Sequence, residues 1–245
     1  VGIICLSKQN IGQEHICCAL SDKKGESGVR LKKEWLTCRF EEGLKFKRLN
    51  ERGKVFIEYL PAENAWVPIE ANGYMFINCH WVSGRFKGQG WGTKLFEECE
   101  KDSEGMNGIV LISSNKKKPY LSEKNFFIKN GFEVCDTVTP YELVVKRFNP
   151  QAPLPKFRTN AKQLTISNGD GLDVYFTAQC PFAVNYAHEI LAKDYSRPVR
   201  VHQITSKEQA QSHTCPVTRY SVFLNGKFVT HEILTQTKIL KLLES

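Results

Sequence analysis

Residues 74–96 read Y-M-F-I-N-C-H-W-V-S-G-R-F-K-G-Q-G-W-G-T-K-L-F, and the rest of the chain can be organised around them. Tyr74 through Val82 is dense in apolar and aromatic residues, as a buried strand is. It runs into a loop holding Gly84, Gly88, Gly90 and Gly92. Leu95, Phe96 and Cys99 then follow at the i, i+1, i+4 spacing of an amphipathic helix. A glycine-rich turn from strand to helix lets backbone N–H groups converge on an anion at the positive helix terminus. Arg85 and Lys87 add positive charge beside it. The segment predicts a pyrophosphate site.

Three kinds of phosphate loop compete for it. A P-loop needs Gly-Lys-Ser/Thr, whereas Gly92 is followed by Thr93 and then Lys94. A dinucleotide fingerprint places its third glycine three residues after the second, and here the glycines run G-x-G-x-G. The third pattern is Arg or Gln, two residues, Gly, one residue, then Gly or Ala. Arg85-Phe86-Lys87-Gly88-Gln89-Gly90 meets it at every specified position. That pattern resembles the coenzyme A loop of the GNAT acetyltransferase superfamily. The resemblance implies coenzyme A or acetyl-CoA as the cofactor, gripped by Arg85, Lys87, Gly88, Gln89, Gly90, Trp91 and Gly92. It also implies that the main chain of Val82 meets the pantetheine arm.

The flanking sequence predicts an α/β (α+β) chain. Residues 12–42 carry Val29, Leu31, Trp35, Leu36, Cys38 and Phe40 at helical spacing, which predicts one or two helices broken near Gly25 to Gly28. Residues 44–49 alternate apolar and basic side chains, the signature of an edge strand. Residues 55–60 and 74–82 are further strands, and 3–6 a possible first one. A helix from Trp91 to about Ser103 precedes the continuous apolar strand 108–113, expected to be buried on both faces. Ser122 reads as the N-cap of a helix that ends at Gly131, and 132–138 and 142–148 as closing strands. The order α-β-β-β-loop-α-β-α-β-β resembles GNAT topology, a mixed sheet with flanking helices. In that fold the strands 74–82 and 108–113 splay apart to admit the cofactor's arm.

The segments E-H-I-C-C-A-L-S-D (14–22), V-F-I-E-Y-L-P-A-E-N-A-W (55–66), C-P-F-A (180–183) and F-L-N-G-K-F-V-T-H-E-I-L (223–234) are similar to the YoaP-type acyltransferases, over nearly the whole chain. Those pair a GNAT domain with a small C-terminal one. The expected division is 1–148 for the acyltransferase, 149–160 for a linker rich in proline (Pro150, Pro153, Pro155), and 161–245 for the second domain. The latter reads as strand 172–177, a helix opening at 178–183, strand 199–204, a hairpin turning on Asn225-Gly226, and a last helix at 235–243. That order resembles the thioredoxin fold, with Pro216 where its cis-proline sits. Ala183 replaces the second cysteine of C-x-x-C, which argues against a dithiol oxidoreductase. The resemblance brings Cys180 together with Cys215, the redox candidates, and a helix N-terminus would favour the Cys180 thiolate.

The length of 245 residues fits two domains. A net charge of +8 implies an acidic partner, and coenzyme A with its phosphates is one. The Lys116-Lys117-Lys118 run is a basic tract, but no aromatic-interleaved or helix-turn-helix pattern accompanies it, and no nucleic acid is expected. No apolar run reaches membrane-spanning length and no signal peptide is visible, so no membrane partner is expected. Nine irregularly spaced cysteines read as reduced cytoplasmic thiols. Cys5, His15, Cys17 and Cys18 lack metal-ligand spacing; Cys17 and Cys18, about 100° apart on a helix, read as packing residues, and no metal is expected.

Acyl transfer to an amine acceptor needs a base for the ammonium and a proton donor for the departing thiolate. GNAT enzymes often take the acid from a tyrosine in the helix after the second splayed strand, and Phe127 stands there. Tyr120, a turn upstream, is the nearest hydroxyl able to replace it, with Ser122 the other. For the base, His80 and Glu58 are the candidates. Strict alternation puts Tyr74, Phe76, Asn78, His80 and Val82 on one strand face, with Cys79 opposite and unable to form a dyad with His80. The reading is therefore a coenzyme A-dependent N-acyltransferase acting by direct transfer. The alternatives are a non-catalytic acyl-CoA-binding protein and a redox-sensing thioredoxin-like module. Acceptor identity, acyl length and oligomeric state are not written in the sequence.

Overall fold

Buried basic residues explain the inner position of one strand of the larger sheet. A computed structural model describes residues 2–20 and 26–244. The chain divides into two compact units, the first comprising Val1–Leu20, Leu36–Ala65 and Ile69–Phe157, the second Ser21–Trp35, Trp66–Pro68 and Arg158–Ser245. The first unit opens with β1 (Ile3–Leu6), then an irregular run of turns; Cys17 and Cys18 lie there rather than on a helix, Cys17 with φ 62°. Helix α1 (Glu26–Arg39) is continuous through Gly28, while Gly25 lies outside the described residues. Strand β2 (Lys45–Leu49) lies between β1 and β3 (Val55–Pro61), not at an edge. Lys45 is exposed, but Lys47 and Arg48, which the alternating pattern would place at a solvated edge, are buried in ion pairs. Lys47 meets Glu98 and Asp102, both at 2.9 Å, and Arg48 meets Glu14.

Strand β4 (Ile69–Glu70) is followed by β5 (Tyr74–Val82), α2 (Trp91–Asp102) and β6 (Gly108–Ser114). Then come α3 (Lys124–Lys129), β7 (Glu133–Val138), β8 (Tyr141–Arg147) and β9 (Lys156–Phe157), which pairs with β4 inside the proline-rich 149–160 stretch. The seven-stranded sheet runs β1-β2-β3-β5-β6-β8-β7. Strand β6 is buried along its whole length, as its apolar sequence requires. The N-terminal residue of α3 is flanked by Glu123 as N-cap, without a side-chain cap bond, and not by Ser122. The carbonyl of Ser122 instead accepts from Ser113 Oγ at 2.8 Å. Gly131, at φ 88°, ends α3 with Phe132 N–H bonded back to the Phe127 carbonyl, the Schellman arrangement.

Two departures from regular pairing shape the site. Strands β5 and β6 are parallel and paired only through Tyr74–Gly108, Met75–Ile109 and Phe76–Val110, after which both continue unpaired with each other. The second departure is a bulge on β5. Tyr59 of β3 faces Ile77 but Glu58 faces Cys79, so Asn78 is the extra residue. The alternation expected along 74–82 is therefore broken. His80 and Val82 share the face of Met75 and Ile77, which packs with Leu95, Phe96 and Cys99 of α2. Tyr74 and Phe76 point to the other side.

The second unit holds β10 (Leu172–Phe176), α4 (Pro181–Leu191), β11 (Val199–Gln203), α5 (Lys207–Gln211), β12 (Tyr220–Leu224), β13 (Lys227–Thr230) and α6 (Gln236–Leu243). Its sheet order is β11-β10-β12-β13, parallel between β10 and β11 and otherwise antiparallel. One face carries Leu172, Val174 and Phe176 against Val184, Ala187 and Ile239. The peptide before Pro216 is not cis; among the described residues the cis bond is Thr139–Pro140.

Candidate active site

Beyond Phe76 and Val110, where the β5–β6 ladder stops, a cleft of about 770 Å³ opens. One wall is the end of β5 and the loop into α2: His80, Trp81, Val82, Ser83, Lys87, Gly88, Gly90, Trp91, Gly92 and Thr93. The other is the segment after β6, with Lys117, Lys118, Pro119, Tyr120, Leu121, Glu123 and Phe126.

The loop wall combines left-handed glycines with a helix N-terminus. Gly88 and Gly90 have φ of 75° and 78°, left-handed values that a side chain disfavours. Gly90 is the N-cap residue of α2 and has no side chain with which to cap it. Lys87 N–H bonds back to the Gly84 carbonyl at 3.3 Å, and Lys94 N–H to the Gly90 carbonyl at 3.1 Å. Between them, the N–H groups of residues 88–93 find no acceptor among the described residues. Unsatisfied donors at a helix N-terminus attract negative charge.

Not every residue of the expected loop grip reaches the cleft. Arg85 extends to Glu51 (2.7 Å) and its guanidinium lies over the Phe86 ring. Gln89 donates through Nε2 to the Arg85 carbonyl at 2.6 Å and accepts from Trp91 Nε1 at 3.3 Å, so it braces the loop from within. Lys94 stacks over the Trp91 ring at 4.6 Å.

His80 reaches the cleft, with its Nε2 bonded to the Gly92 carbonyl at 3.1 Å and its ring stacked on Phe126. Because a carbonyl only accepts, Nε2 carries the hydrogen and Nδ1 the lone pair. Burial pushes the imidazole down to about 4, against the opposing effect of the Gly92 bond. Glu58 is not brought to the cleft. It is buried on the opposite sheet face, bonded to Asn78 Nδ2. Phe127 is sealed in the core among Phe96, Phe126 and Phe132.

Tyr120 lines the cleft with a partly exposed ring and φ of 62°, an outlier for a bulky residue. The loop that holds it is pinned at both ends. Ser114 Oγ donates to the Lys116 carbonyl at 2.7 Å, Ser113 Oγ to the Ser122 carbonyl, and Asn115 N–H to the Pro140 carbonyl at 3.0 Å. The sequence reading missed these serines. Their signal was two hydroxyls ending an otherwise apolar strand.

In the second unit, Cys180 is the partly exposed N-cap residue of α4, while Cys215 is wholly buried and its thiol pushed up to about 12. All nine cysteines are free. Among the described residues no group of His, Cys, Asp or Glu could hold a metal ion, and no helix is long and apolar enough to cross a membrane.

Residues 198–241 match the family described as YoaP-like. The chain is 46% identical to the Bacillus subtilis (strain 168) protein named "Uncharacterized N-acetyltransferase YoaP", over 98% of this chain and 97% of that protein. Similar solved structures include a PaiA N-acetyltransferase from Thermoplasma acidophilum in complex with coenzyme A, 20% identical, with a TM-score of 0.43 over 60% of this chain and 100% of that one. Another is an aminoglycoside 6′-acetyltransferase type Ii, 17% identical, with a TM-score of 0.43 over 62% of this chain and 100% of that one.

Proposed function

This chain belongs to the YoaP-type family of GNAT N-acetyltransferases, and on that premise we propose that its first unit transfers an acetyl group from acetyl-CoA to an amine within a ternary complex. The observation that carries the reading is the run of N–H groups at residues 88–93 that have no acceptor among the described residues, opening onto a cleft where two parallel strands part. Those groups would donate to the pyrophosphate of a bound coenzyme, and the main chain of β5 from beyond Phe76 to Val82, which has no partner on the β6 side, would hold its pantetheine arm.

The amine nitrogen attacks the thioester carbonyl carbon; a C–N bond forms, the C–S bond breaks, and the proton lost by nitrogen balances the one gained by sulfur. We assign the donation to sulfur to Tyr120, which lines the cleft and whose strained backbone is held by the serine-pinned loop. His80, neutral and with a pKa of about 4, is a weak acceptor for an ammonium proton. Its bond to Gly92 makes it a positioning residue for the first turn of α2. The second unit we read as a thioredoxin-like accessory, from its β10-α4-β11 crossover followed by β12, β13 and α6. Burial of Cys215 favours that over a redox sensor.

Steady-state assays with acetyl-CoA over a panel of amines test the proposal. Thiol release that requires the amine and equals the acetylated product is expected. Coenzyme A binding without transfer to any amine would instead favour the non-catalytic acyl-CoA-binding reading.

A further inference from the structure

The lysine tract 116–118, which the sequence leaves without a role, ends on the cleft wall opposite the glycine loop. Lys116 gives its carbonyl to Ser114 Oγ, so the chain direction there is fixed by a buried hydroxyl. The next two residues, Lys117 and Lys118, both line the cleft. Lys117 pairs with Glu123 at 3.3 Å, a solvent-exposed contact of little strength. Among the described residues Lys118 has no carboxylate partner within ion-pair distance. With Lys87 on the facing wall, the cleft carries an excess of positive charge over its one acidic lining residue, Glu123.

A pyrophosphate held at residues 88–93 accounts for the charge of one wall only. We infer that Lys118, assisted by Lys117, forms a second anion subsite that takes the 3′-phosphate of the coenzyme's ribose, so that the protein discriminates coenzyme A from dephospho-coenzyme A. This rests on the coenzyme A reading of the cleft. The subsite is preset, because both ends of its loop are tied to β6 and to the Pro140 carbonyl, and a lysine on a fixed loop loses less freedom on meeting a phosphate.

Calorimetry with coenzyme A and dephospho-coenzyme A on the wild type and Lys118→Gln separates the possibilities. Coenzyme A should bind the wild type about tenfold more tightly, a ratio that shrinks as ionic strength rises. Lys118→Gln should abolish the ratio while leaving dephospho-coenzyme A affinity unchanged. Equal affinities in the wild type, or a variant that weakens both ligands alike, would overturn the subsite and leave the pyrophosphate site standing. If neither ligand binds the folded wild type, the cleft reading fails and the subsite with it.

Discussion

At the start of α2, the N–H groups of residues 88–93 have no acceptor among the described residues and open onto a cleft. On the second unit's sheet, Asp173 is fully buried and heavily bonded. Arg200 reaches it through Nε (2.8 Å) and an η nitrogen (2.7 Å), His202 through Nε2 (2.7 Å), and Asn168 through Nδ2 (2.7 Å). Burial pushes the Asp173 carboxyl up, and the bonds from Arg200, His202 and Asn168 outweigh it, leaving the group below its usual range. Both places concentrate polar groups. In one they satisfy each other and fasten the edge strand β11 to β10; in the other they remain unsatisfied toward a void. A polar cluster that closes on itself stabilises a fold, whereas donors aimed at a cavity describe a ligand.

The sharpest way to break that contrast is a pair of substitutions. Gly90→Leu puts a bulky side chain at φ 78° on the N-cap of α2. It should weaken coenzyme A binding by at least about a hundredfold by calorimetry, with the circular dichroism spectrum retained. Asp173→Asn should do the reverse, lowering unfolding free energy by about 2 kcal/mol, since it removes the buried charge to which its partly exposed partners Arg200 and His202 were matched. Coenzyme A affinity should not change. Normal binding by Gly90→Leu would remove the pyrophosphate site from this loop.

Acid should act on the closed cluster next. His213 is buried in the same polar layer, bonded through Nε2 to Ser221 Oγ at 2.8 Å, with Tyr175 and Phe223 against its ring. Burial pushes it from 6.5 down to about 4. The folded state therefore keeps it neutral while the unfolded chain takes up a proton below pH 6.5. Stability from this group is full above pH 6.5, declines as pH falls, and stops declining near pH 4. The shift corresponds to about 3 kcal/mol over that window. Urea titrations of wild type and His213→Gln should show the wild type losing about 3 kcal/mol relative to the variant between pH 6.5 and pH 4. A constant difference would mean that His213 does not titrate on unfolding.

These regions were unequally legible in the sequence. Gly88 and Gly90 announced their loop because a left-handed backbone is a demand that residue type itself records. Strand β6 was legible because an interior strand shows apolar residues on both faces. The setting of β2 was hidden, since Lys47 and Arg48 look solvent-facing until Glu98, Asp102 and Glu14 arrive from distant sequence. The bulge at Asn78 was hidden too. It exists only in the register between β3 and β5, and it sends His80 to the face opposite Phe76. Ser122 looked like a cap because serine is a good one, yet Ser113 claims its carbonyl, and Glu123 flanks the helix instead.

The smallest expected effect bears on whether the cleft does chemistry as well as binding. Tyr120 is held at φ 62°, at a cost of about 1–2 kcal/mol relative to an ordinary conformation. A merely structural ring would gain by relaxing, and Tyr120→Gly would then stabilise the protein without touching turnover. If the hydroxyl donates to the leaving sulfur, Tyr120→Phe keeps the ring and removes only the proton. It should lower kcat by roughly tenfold to a hundredfold, leave KM for acetyl-CoA near its wild-type value, and abolish the alkaline limb of the kcat–pH profile. A leaving group that needs no protonation supplies the control, because a donor thioester of a more acidic thiol should recover most of the lost rate in the variant. A rise in KM with kcat unchanged would make Tyr120 a wall of the cleft, its hydroxyl uninvolved in the transfer.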